Sequence, residues 1–252
     1  MIDKDVGYII KRVNFKETSL LATIYTKKFG KIQGLFKGFY TQKKEFTSSL
    51  DIFTLNEFIL YPRRSEIWLV SYVELINGYD FLRKDIKKNS AASLFARIID
   101  RCTILGDSQP DIFFLFQHSL ESLNSYSTEK LVYIFLIKFL TISGFKPQFN
   151  LCINCHRPYK EKIYFSILNG GIICSRCRSK LNDAQPISVE TSFVIHYIQH
   201  NDFPHILRIN PSVFCQQEII FILQKFSEYY LYLNPFLYLN TLRYSPRYSP
   251  AS

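Results

Sequence analysis

No stretch of this chain approaches the roughly 18 uninterrupted apolar residues that a membrane span requires. The longest candidate, Leu131 to Ile142, is too short and contains Lys138. Met1 to Asp5 carries acidic residues where a secretory signal needs a basic stretch and then an apolar one. The expectation is a cytoplasmic protein with no membrane partner, in a compartment where disulfides are rare. A Gly-x-x-x-x-Gly-Lys-Ser/Thr loop is absent, and Gly30, Gly34 and Gly38 have the wrong spacing for any phosphate or dinucleotide loop. His118, His196, His200 and His205 have no evident nucleophile or metal partner in the sequence. His196 and His200 share a helical face but lack the glutamate pattern of a metal-binding helix. The carboxylates are scattered, with no cluster of the kind a metal-dependent nuclease uses. These absences predict a binding protein, not an enzyme.

What is present begins with charge. The net value of +10 over 252 residues is concentrated in two short segments. Residues 1–50 carry ten Lys/Arg against four Asp/Glu, and residues 145–180 carry seven against one. Local basic excess of this kind is the footprint of a phosphate-backbone partner, the alternative being a solvated surface that keeps the chain soluble. Apolar residues at 47% allow a real core. The 23 Phe and 17 Tyr fit the codon preference of an AT-rich genome and are not read as functional.

Along the chain, "VGYIIKR", "LLATIYT", "KIQGLFKGF", "FTLNEFILY" and "IWLVSYVEL" are runs rich in β-branched and aromatic residues. Five such strands within residues 1–78 predict a small closed barrel, an OB-fold first and an SH3-like barrel as the alternative. The glycines of the third run suggest bulges or a bend there. Helical periodicity then predicts helices over 86–105, 111–123 and 128–143, with Thr128 as a cap and Gly144 and Pro147 as the stop. Two more are predicted over 189–200 and 213–233. The fold class is therefore α+β and multi-domain: the barrel, a helical domain in two parts (79–146 and 183–240), an inserted ribbon at 147–182, and a Tyr-Ser-Pro-rich tail at 241–252 expected to be disordered.

The ribbon carries the most specific signal. Cys152-x-x-Cys155 is followed after 18 residues by Cys174-x-x-Cys177. Each C-x-x-C turn aims two thiolates at one point, and a tetrahedral ion needs two such turns facing each other. The intervening "KIYFSILNGGII" can form a hairpin around Asn169-Gly170-Gly171 that folds the second turn onto the first. One structural zinc ion is the expected cofactor. Cys-Ile-Asn-Cys-His also matches a c-type haem attachment site, but that reading needs export and leaves the second pair unexplained. A redox pair needs only one C-x-x-C. Cys102 and Cys215 stand alone in helical patterns and read as small core residues.

Barrel, helices and a four-cysteine ribbon before the last helices, in that order, resemble the RecO family of bacterial DNA repair proteins. The likeness runs from Gly7 to about Leu242. It is densest at Gly144, Phe145, Pro147, Cys152, Cys155, Phe165, Ser166, Gly170, Gly171, Cys174 and Cys177. Thr26, Gly30, Lys37 and Gly38 match the family's barrel more loosely. Two departures stand out: His156 where the family usually has glycine, and Lys16 before Glu17 where glycine is common. The resemblance implies a recombination mediator that binds single- and double-stranded DNA and anneals complementary strands. It also implies action with RecR in loading RecA onto DNA coated by single-stranded DNA-binding protein (SSB), through contact with the SSB carboxyl-terminal tail.

Candidate backbone contacts are Lys27, Lys28, Lys31, Lys37, Lys43 and Lys44, with Arg63 and Arg64 in another loop. Lys31 and Lys37 are expected on one face of the third strand, with Phe39 beside them as a base-stacking or core residue. In the ribbon, Arg157, Lys160, Lys162, Arg176, Arg178 and Lys180 form a second basic group. Two other readings compete: an RNA- or transcription-associated barrel and ribbon protein, and a redox-regulated chaperone using its cysteines as a switch.

Overall fold

The five apolar runs become β1 (Asp3–Phe15), β2 (Ser19–Thr26), β3 (Gly30–Phe36), β4 (Leu55–Tyr61) and β5 (Ile67–Asn77) in the computed structural model, which describes residues 2–41, 50–62, 66–159 and 162–236. They close in the order β1-β2-β3-β5-β4, with β4 returning to β1. Every neighbouring pair is antiparallel except β3 and β5. This is the OB-fold connectivity. Alternate residues point inward, so Leu20, Ala22 and Ile24 from β2 meet Ile32 and Phe36 from β3, Phe58 and Leu60 from β4, and Val70 and Val73 from β5. At roughly 1.5–3 kcal/mol for each fully buried large apolar side chain, this interior is the main stabilising term of the barrel.

The expected bulge does not fall in the third strand where it pairs with β2. β3 pairs with β2 without a break, whereas β1 shifts register between Ile9 and Lys11. Lys37 and Phe39 lie in a turn beyond the end of β3, so Lys31 and Lys37 do not share a strand face. Phe39 is buried with the barrel core and is not a stacking platform.

Helices α1 (Asp80–Lys84), α2 (Ile86–Cys102) and α3 (Pro110–Ser122) belong with the barrel in one compact unit that ends at Asn124. They cover the outer wall of β1, β2 and β3. The Tyr8 ring sits 5.4 Å from Phe113 and 5.0 Å from Phe116, and its hydroxyl is 3.2 Å from that of Tyr79. The segment between α2 and α3 runs beside β3: Gly106 N–H donates to the Lys31 carbonyl at 2.8 Å. A Cβ on Gly30 would lie 1.9 Å from the Asp107 carbonyl oxygen, so only glycine permits this approach. Burial on both faces is why β2 reads as a nearly continuous apolar run.

The second unit begins at Ser125, so the helical region expected over 79–146 is divided between the two units. Its central helix α4 (Thr128–Ile142) buries every residue from Leu131 to Ile137, as a helix enclosed on all sides must be apolar all round. Its cap is Ser127, whose hydroxyl accepts from Lys130 N–H at 3.3 Å; Thr128 is instead the first helical residue. Phe145 N–H bonds to the Leu140 carbonyl at 2.9 Å, closing the helix at Gly144. Strands β6 (Ile163–Ser166), β7 (Gly171–Cys174) and β8 (Gln185–Ile187) form a small sheet in the order β7-β6-β8. Then come α5 (Val189–His200), α6 (Phe203–Ile206) and α7 (Val213–Tyr230). The expected tail, 241–252, lies outside the described residues. Among those residues, no helix is long and apolar enough to cross a membrane.

Candidate metal centre and basic surfaces

The β6–β7 hairpin performs the folding back that the cysteine spacing calls for. Ser166 pairs with Gly171 and Ile163 with Cys174, so Cys174 emerges at the hairpin's open end. Ile153 N–H donates to the Ile172 carbonyl at 2.9 Å, which fastens the first turn to β7. Gly171 is required there, because a Cβ would meet Ile153 Cγ2 at 2.3 Å. Cys177 follows in a short 3-10 helix, Ser175–Lys180.

The four Sγ atoms of Cys152, Cys155, Cys174 and Cys177 all lie within 4.8 Å of one another, and those of Cys155 and Cys174 are 3.9 Å apart. Tetrahedral thiolates at about 2.3 Å from an ion stand roughly 3.8 Å from each other. The donor set and its size therefore suit a metal ion. Burial pushes the Cys152 thiol up, but backbone N–H groups of Cys174, Cys155 and Asn154 reverse this and bring it down to about 6. At Cys177 the Asn154 amide works downward, while burial and the neighbouring thiols Cys174, Cys155 and Cys152 raise it to about 11. Four sulfurs this close cannot all ionise unaided, and a divalent cation among them removes the conflict.

Both departures from the family pattern fall on left-handed backbone: His156 has φ 54 and Lys16 φ 55. An L-residue there costs about 1–2 kcal/mol, partly offset by the greater freedom glycine has in the unfolded chain. His156→Gly and Lys16→Gly are each expected to raise stability by about 0.5–1 kcal/mol on those grounds, read as a higher denaturant midpoint with metal content unchanged.

The candidate phosphate contacts separate. Lys27 and Lys28 are exposed in the β2–β3 turn, Lys27 with its ammonium 4.9 Å from the Phe114 ring and Lys28 donating to the Lys4 carbonyl at 2.8 Å. Lys37 is exposed in the turn after β3, at the other end of that strand. Lys31 must be corrected: it is 8% exposed, donates to the Asp100 carbonyl and lies 3.7 Å from the Asp100 carboxylate, so it braces β3 to α2. Lys43, Lys44, Arg63 and Arg64 lie outside the described residues, as does Lys160.

In the ribbon, Arg157, Lys162 and Arg176 are exposed around a cleft of about 370 Å³ that reaches Cys155, Cys174 and Cys177. Arg178 is half-buried; it donates to the Leu181 carbonyl at 2.7 Å and lies over the Tyr164 ring at 5.4 Å. Its role in the fold is to close the 3-10 helix. Sequence reasoning missed the exposed Lys11, Arg12 and Lys16 on and beside β1, and the half-buried Arg97 and exposed Arg101 on α2. Charge counting alone finds the first three. Only the packing of α2 beside β1 shows what the last two stand near.

Comparison with known proteins gives the same layout. Residues 1–79 match the family model described as Recombination protein O N terminal, and residues 83–236 match Recombination protein O C terminal. The chain is 30% identical over 241 residues to the DNA repair protein RecO of Dehalococcoides mccartyi, covering 92% of this chain and 94% of that one. It is 26% identical over 218 residues to the RecO of a Thermoanaerobacter species, covering 86% and 87%. With that of Caldicellulosiruptor saccharolyticus it shares 29% identity over 210 residues, covering 83% and 85%.

Proposed function

The chain belongs to the RecO family of DNA repair proteins, and from that premise we propose that it is a recombination mediator of the cytoplasm. It binds single- and double-stranded DNA, anneals complementary strands, and acts with RecR to load RecA onto SSB-coated DNA while contacting the SSB tail. Its action is binding, not covalent chemistry. The observation that carries this reading is the pairing of an OB-fold with a four-thiolate ribbon, each bearing one of the two basic segments. Lys27, Lys28 and Lys37 on the barrel and Arg176 on the ribbon are the proposed phosphate contacts, joined by Lys43, Lys44, Arg63 and Arg64 from the sequence alone.

The ion at the four cysteines is zinc in this reading. An all-thiolate tetrahedron suits zinc or iron, and a zinc shell filled by four cysteines is a structural site with no position left for a catalytic water. When bound, zinc holds the two turns together; the residues that meet DNA are the cations around them.

The test is strand annealing by metal-quantified protein, with and without SSB. The expected result is faster annealing of complementary oligonucleotides that persists when SSB coats them, with structured RNA of equal length a poorer competitor than DNA. Equal or better competition by RNA favours the transcription- or RNA-associated alternative.

A further inference from the structure

The wall that OB-folds commonly offer to nucleic acid, the outer face of β2 and β3, is not open in this unit. Thr23, Tyr25, Lys31 and Leu35 on that face are all buried. Tyr25 points its hydroxyl at the Gln109 carbonyl, 3.5 Å away, and Lys31 is held by Asp100. A single strand needs another seat, and the unit contains one. Between β1, the turn before β4 and α2 lies an open cleft of about 340 Å³, lined by Ile10, Lys11, Ile52, Phe53, Ala96, Arg97, Asp100 and Arg101 among others.

Its chemistry is divided. Ile10, Ile52, Phe53 and Ala96 form an apolar floor, while Lys11 and Arg101 are exposed cations with Arg97 half-buried beside them; among the described residues of the lining the carboxylate is Asp100, which already faces Lys31 at 3.7 Å. The backbone around it is shaped and pinned. The β1 register shift lies at Ile10, and Phe53 holds φ 74 with its N–H donating to the Ile9 carbonyl at 2.8 Å. Strained, fixed backbone of this kind concentrates where ligands bind. Arg97 and Arg101 are four apart, so both present to the same side of α2.

Resting on the DNA-binding reading above, we propose that this cleft seats one nucleotide of single-stranded DNA, its base against the apolar floor and its phosphates on the exposed Lys11 and Arg101. A duplex keeps its base faces stacked and cannot use the floor, so the cleft favours single strands. The pocket size is within the range of sites that enclose small ligands.

The experiment measures anisotropy of labelled oligothymidylate across a salt series, with Lys11→Glu/Arg101→Glu compared with Lys225→Glu/Arg208→Glu, an equal charge change in the second unit. The cleft variant is expected to bind at least tenfold more weakly, with the slope of log K against log salt shallower by about 1.4, or 0.7 for each lost phosphate contact. Ile52→Ala is expected to weaken oligothymidylate but not an abasic oligomer of the same length. Equal losses in the two double variants, with both still folded by circular dichroism, overturn the proposal, as does displacement of oligothymidylate by polyglutamate of equal charge as readily as by unlabelled DNA, which assigns the cleft to an acidic peptide. If the unaltered protein shows no salt-sensitive affinity for DNA, the DNA-binding reading itself is what fails.

Discussion

Cys152→Ser is expected to strip the ribbon of its metal and unfold it while leaving the barrel in place. Cys152 is fully buried among the ribbon's apolar side chains and accepts from Cys174 N–H at 3.4 Å. Serine there is a poor metal ligand, and the three sulfurs left no longer close a tetrahedron. Structural zinc sites of this type contribute about 10–16 kcal/mol of apparent binding energy, which is folding energy for a segment with so few other contacts. The apolar cluster around the thiols consists of little more than Ile153, Tyr164, Ile173 and Leu181. The measurement is metal content by mass spectrometry together with limited proteolysis of residues 150–182. Metal is expected to fall to background, and cleavage there to become rapid. Trp68, the one tryptophan, packs tilted against Phe29 in the barrel with centroids 4.9 Å apart, so its emission should stay native. A metal-free variant with an intact, protease-resistant ribbon contradicts the account.

Glu218→Ala is the other change with a large expected cost, here on stability alone. Glu218 is 2% exposed on α7, and its carboxylate accepts from Ser188 N–H at 3.1 Å, Ser188 Oγ at 2.6 Å and Thr191 Oγ1 at 2.6 Å. It therefore receives the first turn of α5, where backbone N–H groups lack helical partners and the helix dipole favours negative charge. Alanine leaves those donors buried without acceptors, and each such group costs about 1–3 kcal/mol. Loss of about 3–5 kcal/mol is expected for breaking a buried charged network, read as a lower urea midpoint. Glu218→Gln keeps an acceptor oxygen and should fall between. A midpoint unchanged in Glu218→Ala shows that Ser188 and Thr191 find other partners.

What the sequence made legible was what depends on local chemistry. Runs of β-branched and aromatic residues gave five strands and 3.6-residue periodicity gave the long helices, because both signals follow from local side-chain chemistry and from which side of an element is buried. The four thiolates were legible for the same reason: C-x-x-C geometry and the Gly170–Gly171 hairpin are short-range. Boundaries set by a single hydrogen bond were not, as the cap at Ser127 in place of Thr128 shows.

Less legible was anything decided by distant segments meeting. Lys31 looked like a surface cation by its neighbours, yet Asp100, 69 residues later, takes it out of solvent. Bulges were expected at the glycines of β3, but Gly30 and Gly34 allow close approach to Asp107 and to Ile24, while register shifts fall in β1 at Ile10 and between β4 and β5. The cleft of Lys11, Arg97 and Arg101 leaves no mark in any one stretch of sequence, since β1 and α2 are brought together by the fold.

The most direct test of the whole account is the affinity of metal-loaded protein for a short single-stranded oligonucleotide, measured from low to moderate salt. With cations holding phosphates, log K should fall linearly with log salt at about −0.7 per contact, giving a slope of roughly −3 or steeper for four or more contacts. A flat dependence, or no affinity at low salt in protein carrying its full complement of metal, contradicts it.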